Sequence, residues 1–186
     1  MYCNKIFIIL ELLQGRSLKS LIRSSSSNSF DDEKCKLILK PILHALEYIH
    51  SKHISHRDLK MENIIIEGNG TPKLIDFGFG AIEINKQKLK AFCGTPSYMP
   101  PEIVNKNEYE GPIADMWSFG VLLFLTLSGN FPFRGFSEKD LFFRISRGAI
   151  QFPLKIGPKS KVVIRRLLEV NPCLRATAKE VFLIRL

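Results

Sequence analysis

The stretch His56-Arg57-Asp58-Leu59-Lys60-Met61-Glu62-Asn63 decides how this chain is read. It lies in a segment, Ile54 to Ile66, that reads as a loop running into a β-strand. Working outward, Asp76-Phe77-Gly78 follows thirteen residues after Asn63, just beyond a second short strand in Pro72 to Phe77. Then come Gly94-Thr95-Pro96-Ser97-Tyr98-Met99-Pro100-Pro101-Glu102, Asp115-Met116-Trp117-Ser118-Phe119-Gly120 and finally Arg175. The first run is the strongest signal, and Asp76-Phe77-Gly78 alone is weak. Five in a fixed order leave little room for chance.

The first run matches H-R-D-L-x-x-x-N and the second D-F-G, so the chain resembles a eukaryotic protein kinase. Within that family it is similar to the calcium/calmodulin-kinase-like group, near the AMP-activated and microtubule-affinity-regulating kinases. Phe92-Cys93-Gly94-Thr95, Tyr109-Glu110-Gly111, Gly129-Asn130-Phe131-Pro132-Phe133 and Val170-Asn171-Pro172 carry that closer likeness. The resemblance implies an α+β, protein-kinase-like fold. Residues 1–186 would be one partial domain, mostly the helical C-lobe, with only the last small-lobe strand and the hinge before it.

It also implies transfer of the γ-phosphoryl of Mg·ATP to a protein Ser or Thr, a reaction that rests on positioning and charge stabilisation. Asp58 would accept or orient the hydroxyl proton. Lys60 would reach the transferred phosphoryl group, and a Lys there resembles serine/threonine rather than tyrosine kinases. Asn63 and Asp76 offer hard oxygen ligands to Mg²⁺. Thr95 matches the position that steadies this loop and lines the acceptor site. For ATP, Leu10 matches the gatekeeper, backbone groups of Glu11 and Leu13 match those that hold adenine, and Ile65 matches the floor beneath it. Plain core packing is an equal reading for Leu10 and Ile65. Glu62 lies where related kinases face the ribose and the substrate, which suggests a weak preference for basic peptides. His56, Asp115, Glu102 and Arg175 are expected to be scaffold, the last two as a buried ion pair.

The remainder of the chain supplies elements for such a lobe. Residues 5–13 are rich in β-branched and aromatic residues and read as a strand ending at Gln14-Gly15. Residues 17–23 suggest a short helix and Ser24 to Ser29 a flexible loop. Asp31 is placed to cap a helix running through His50, which Pro41 should bend or split. Residues 81–113 look irregular. Residues 115–128 are apolar nearly all round, the mark of a helix buried on every side, with Gly129 as its C-terminal stop. Residues 138–148, 159–169 and 176–185 read as three more helices.

Composition narrows the other possibilities. The 186 residues carry a net charge of +9. Residues 1–140 hold 17 basic and 16 acidic side chains, whereas residues 141–186 hold 10 and 2. That basic terminus has no nucleic-acid motif or aromatic platform beside it. Cys3, Cys35, Cys93 and Cys173 have neither C-x-x-C nor zinc-finger spacing, which fits a reducing, intracellular compartment. The apolar run from Phe119 to Leu127 is about half the roughly 18 residues a spanning helix needs, so no membrane insertion is expected. Oligomeric state is not readable.

The resemblance covers only part of a kinase domain. The glycine-rich loop, the β-strand Lys and its helix Glu partner are not in this sequence. Three accounts stand: a fragment of an active kinase, which is preferred; a short pseudokinase-like interaction module; or a chain that borrows a small lobe. Activation-segment phosphorylation is expected to be absent at the usual site, where Ala91 stands. No Ser or Thr occurs between Glu83 and Cys93.

Overall fold

The structure is a computed structural model that describes residues 7–83 and 87–184. In chain order its elements are β1 (Gly15–Ser17), α1 (Leu18–Arg23), α2 (Asp32–Ser51), β2 (Ile54–Ser55), β3 (Ile64–Glu67), β4 (Pro72–Leu74), β5 (Ala81–Ile82), α3 (Pro101–Val104), α4 (Gly111–Ser128), α5 (Glu138–Arg147), α6 (Pro158–Leu167) and α7 (Ala178–Leu183). Short 3₁₀ turns cover Met61–Asn63, Pro96–Tyr98 and Pro172–Leu174. The fold is α+β, a helical lobe with two small antiparallel sheets, β1-β3-β4 and β2-β5.

Helix α4 is the centre. Trp117, Phe119, Leu122 and Met116 are fully buried on different faces of it, and α2 and α6 pack against it. Its length and mean hydropathy of 1.3 would suit a membrane span, but 89% of that window is buried inside the chain. Pro112 opens the helix at a position where its missing N–H costs nothing, and Gly129 closes it in the left-handed region at φ 72°. Gly120 lets α6 approach, since a Cβ there would meet the Leu167 Cβ at 2.7 Å.

Helix α2 starts where its cap predicts. The Asp31 carboxylate accepts from the Lys34 N–H at 2.8 Å. Of the expected bend or split at Pro41, the split does not occur: the helix is continuous from Asp32 to Ser51. Pro41 and Leu37 both lie on its exposed face. The Leu37 carbonyl freed by the proline therefore faces water, so the lost helix bond is replaced by solvation.

The strand expected over 5–13 is also corrected for its described part. Residues 7–14 form no strand, and residues 5 and 6 lie outside the described residues. The first strand is Gly15–Ser17, paired with β3 in the register Gly15↔Glu67 and Ser17↔Ile65. A strand needs a ladder partner, and among the described residues the only backbone bond to 7–14 is that from the Gly68 N–H to the Gln14 carbonyl at 3.2 Å, at the edge of β1. Phe7, Ile8, Ile9, Leu10 and Leu12 stand 79–96% exposed instead. Residues 81–113 are less irregular than expected, since β5 and α3 lie within them and α4 begins at Gly111.

Candidate active site

The loop from His56 to Asn63 is held in shape by a carboxylate from α4. Asp115 is 1% exposed, and its two oxygens accept from the backbone N–H groups of His56 and Arg57, each at 2.8 Å. His50 on α2 approaches the same carboxylate at 2.9 Å. This grip fixes Arg57 in the left-handed region at φ 65°, which a non-glycine residue adopts at a cost of about 1 kcal/mol or more. The reversal turns Asp58 inward.

His56, fully buried, joins three segments. Its Nδ1 accepts from the Asp58 N–H at 3.2 Å, and its Nε2–H donates to the Ile75 carbonyl at 2.9 Å. These two bonds require the neutral ring with its proton on Nε2. Ile75 in turn donates its N–H to the Asn63 carbonyl at 2.9 Å. Ile75, just past β4 and before Asp76, is thus tied to both ends of the catalytic-loop motif. Asp76 itself is exposed, at φ 66°, with Oδ1 accepting from the Gly78 N–H at 3.1 Å.

Around Asp58 three predicted side chains converge. Lys60 Nζ donates to Asp58 Oδ2 at 2.5 Å and to Thr95 Oγ1 at 3.2 Å. Thr95 Oγ1 donates to Asp58 Oδ1 at 2.7 Å. Asn63 Nδ2 donates to the Asp58 carbonyl at 2.9 Å, which turns the amide oxygen away from that bond. Thr95 arrives from 37 residues away because Gly94 permits it. Gly94 adopts φ 108°, and a Cβ there would lie 2.8 Å from the Arg57 carbonyl oxygen. Only glycine lets the two backbones touch.

A second set of contacts straps the segment before Gly94. Leu89 and Tyr109 form a reciprocal backbone bridge at 2.8 and 3.0 Å. The Tyr109 hydroxyl donates to the Ala91 carbonyl at 2.9 Å, and Arg57 reaches that hydroxyl at 3.5 Å. Arg57 also donates through Nε to the Phe79 carbonyl at 2.5 Å. Burial pushes the Tyr109 phenol up to about 12, so it stays a neutral donor. Glu83 Oε1 accepts from the Gly111 N–H at 2.8 Å, and burial holds its carboxyl above the ordinary value.

The scaffold pair is present: Arg175 donates to both oxygens of Glu102, at 2.6 and 2.8 Å, with exposures of 3% and 7%. The adenine-side candidates do not converge in the same way. Leu10 is 81% exposed, Leu13 is partly exposed, and Glu11 makes a surface ion pair with Lys73 at 3.0 Å. Ile65 is partly buried in β3 opposite Ser17. Glu62 is engaged by Lys19, a contact across 43 residues that no sequence pattern signals. Tyr109 was visible only as part of Tyr-Glu-Gly, with no hint of its bond to Ala91.

The oxygen donors suit a hard dication. Asn63 spends its amide nitrogen on Asp58, leaving the oxygen as its ligating end, and Asp76 keeps one carboxylate oxygen off Gly78. No group of three or more His, Cys, Asp or Glu side chains converges among the described residues. One carboxylate and an amide match Mg²⁺, which takes few protein ligands and completes its shell with phosphates and water.

A helical lobe built on His-Arg-Asp, Asp-Phe-Gly and a buried Glu–Arg pair defines the protein kinase class. The chain belongs to the protein kinase family: the family model "Protein kinase domain" matches residues 2–184. It is 36% identical over 178 residues to mouse sperm motility kinase 3A and 36% over 182 residues to CBL-interacting serine/threonine-protein kinase 3 of Arabidopsis thaliana. It is 38% identical over 179 residues to an Aurora kinase of Dictyostelium discoideum. Each match covers 96% of this chain, but 35%, 41% and 45% of those proteins. The chain thus spans less than half the length of these relatives.

Proposed function

We propose that this chain carries the phosphoryl-transfer half of a serine/threonine protein kinase. The supporting observation is the convergence of Lys60, Thr95 and Asn63 on Asp58. When bound, Mg·ATP supplies the γ-phosphoryl group and the dication that offsets its charge. Asp58 is 5% exposed and its two carboxylate oxygens are held by Lys60 and Thr95, so a substrate hydroxyl reaching it meets one carboxylate in one orientation. The hydroxyl oxygen forms the new P–O bond, its proton passes to Asp58, and ADP departs with the electrons of the broken bond. Lys60, 2.5 Å from Asp58, places a positive charge where the transferring group gains negative charge. Asn63 and Asp76 hold the metal through oxygen.

The reading is tested by mixing the purified chain with Mg·ATP and a Ser/Thr peptide library. Transfer that needs Mg²⁺ and is lost in Asp76→Ala supports it. A second reading, a non-catalytic interaction module, is favoured by the exposed apolar run from Phe7 to Leu12, since large exposed apolar patches mark interaction surfaces. Absence of any Mg²⁺-dependent transfer selects that reading.

A further inference from the structure

Glu62 stands beside the acceptor site, and its carboxylate already has a cation partner. Its Oε1 is held by Lys19, and its Oε2 is buried without a donor among the described residues. A basic peptide side chain therefore finds this carboxylate occupied. Next to it opens a cavity of about 430 Å³. Its floor includes Ile22, Met61 and Phe131, and its charged lining is Lys19, Arg23 and Arg134 against Glu62 alone.

Charge and position both bear on what enters. Arg23 and Arg134 are exposed, and Arg134 donates only to the neutral Asn130 Oδ1 among the described residues. With Lys19 spent on Glu62, two guanidinium groups remain uncompensated at the rim. Guanidinium forks match carboxylate and phosphate geometry. Met61 and Glu62, from the same loop as Asp58, line this cavity. On the kinase reading, a peptide whose acceptor residue reaches Asp58 runs past this cavity.

We propose that this cavity seats an anionic side chain of the peptide substrate, carboxylate or phosphoryl, and that Arg23 and Arg134 select it. The location of the peptide rests on the kinase reading above. Lys19 acts as a positioning residue that cancels the acidic subsite. The chain should accordingly favour acceptors flanked by acidic or phosphorylated residues over those flanked by arginine.

The test measures binding, so that it does not depend on turnover. Fluorescent peptides of one backbone, with Ala at the acceptor position and flanks of Asp, phosphoserine, Arg or Ala, are titrated with the whole chain by anisotropy. The Asp or phosphoserine peptides are expected to bind roughly tenfold tighter than the Arg peptide, the yield of two partly exposed ion pairs or three. The two anionic arms separate carboxylate from phosphoryl recognition, and either one suffices. Arg23→Glu/Arg134→Glu should reverse the order. Lys159→Glu/Lys179→Glu, an equal charge change on exposed lysines elsewhere, should leave it intact. Equal or tighter binding of the Arg peptide overturns the proposal, as does an equal loss in the control variant or no binding of any peptide. A chain that binds anionic peptides but transfers no phosphoryl group keeps this proposal and sinks the catalytic one.

Discussion

Asp115 does for the catalytic loop what a hydrogen-bonded turn does elsewhere, holding two successive N–H groups on one carboxylate. Replacing it by Asn turns one acceptor into a donor facing an N–H. Asp115→Asn should therefore cost about 2–3 kcal/mol, read as a lower denaturant midpoint, and should release Arg57 from its left-handed conformation. Arg175→Met leaves Glu102 buried and unpaired, with an expected cost of about 3–5 kcal/mol. The double variant Glu102→Leu/Arg175→Met should recover much of that loss, because no lone charge remains. If the double variant is as unstable as Arg175→Met, the pair matters for packing rather than charge. At this scale the sequence was most legible where chemistry is local. Asp58, Lys60 and Asn63 lie within six residues, so their spacing alone carries the cluster. Lys19 and Glu62 are 43 residues apart and meet only because α1 packs on the 3₁₀ turn at Met61.

Among the elements, the strap between residues 87–93 and 105–111 sets how the acceptor site is ordered. Tyr109 occupies Arg57 and Ala91 with a neutral hydroxyl, at the place where related kinases are expected to present a phosphate. Tyr109→Phe should raise amide exchange over residues 87–95 while leaving α4 protected, as measured by hydrogen–deuterium exchange. Uniform protection in the variant would assign the ordering to the Leu89 bridge instead. Glu83 adds a pH dependence to the same strap. Burial raises its folded-state value above 4.5, so the folded chain holds this proton more tightly than the unfolded one. The group then favours folding below the ordinary carboxylate range and disfavours it as pH rises through the raised value. Glu83→Gln keeps an oxygen on the Gly111 N–H without the charge. Its melting temperature relative to wild type should climb from pH 4 toward neutrality, and a constant difference would reject burial as the cause. Element limits also show where sequence reading fails. The apolar run 5–13 has strand composition, but pairing depends on a neighbour, not on composition. Pro41 has a breaker's chemistry, yet its place on the wet face of α2 lets the helix continue.

At the scale of the molecule, the α4 core and the charge distribution separate two jobs. The apolar helix was legible because it is hydrophobic on every face, and its burial by α2 and α6 fixes Asp115 beneath the catalytic loop. The basic excess of residues 141–186 lies mainly on α6, with Arg144 and Arg147 on α5, while Arg175 is withdrawn into the ion pair with Glu102. Arg23 and Arg134, by contrast, lie outside that terminal stretch and beside the acceptor cleft. Net charge alone therefore does not point to the cations proposed to select the substrate. The central claim is that Asp58, with Lys60, Thr95 and Asn63 around it, accepts the proton of a substrate hydroxyl. The direct measurement is the rate of γ-phosphoryl transfer from Mg·ATP to peptide by the wild-type chain and by Asp58→Asn, at matched folded fraction. The variant should be slower by roughly a hundredfold or more, the usual contribution of a positioned general base. Equal rates in the two proteins would contradict the account.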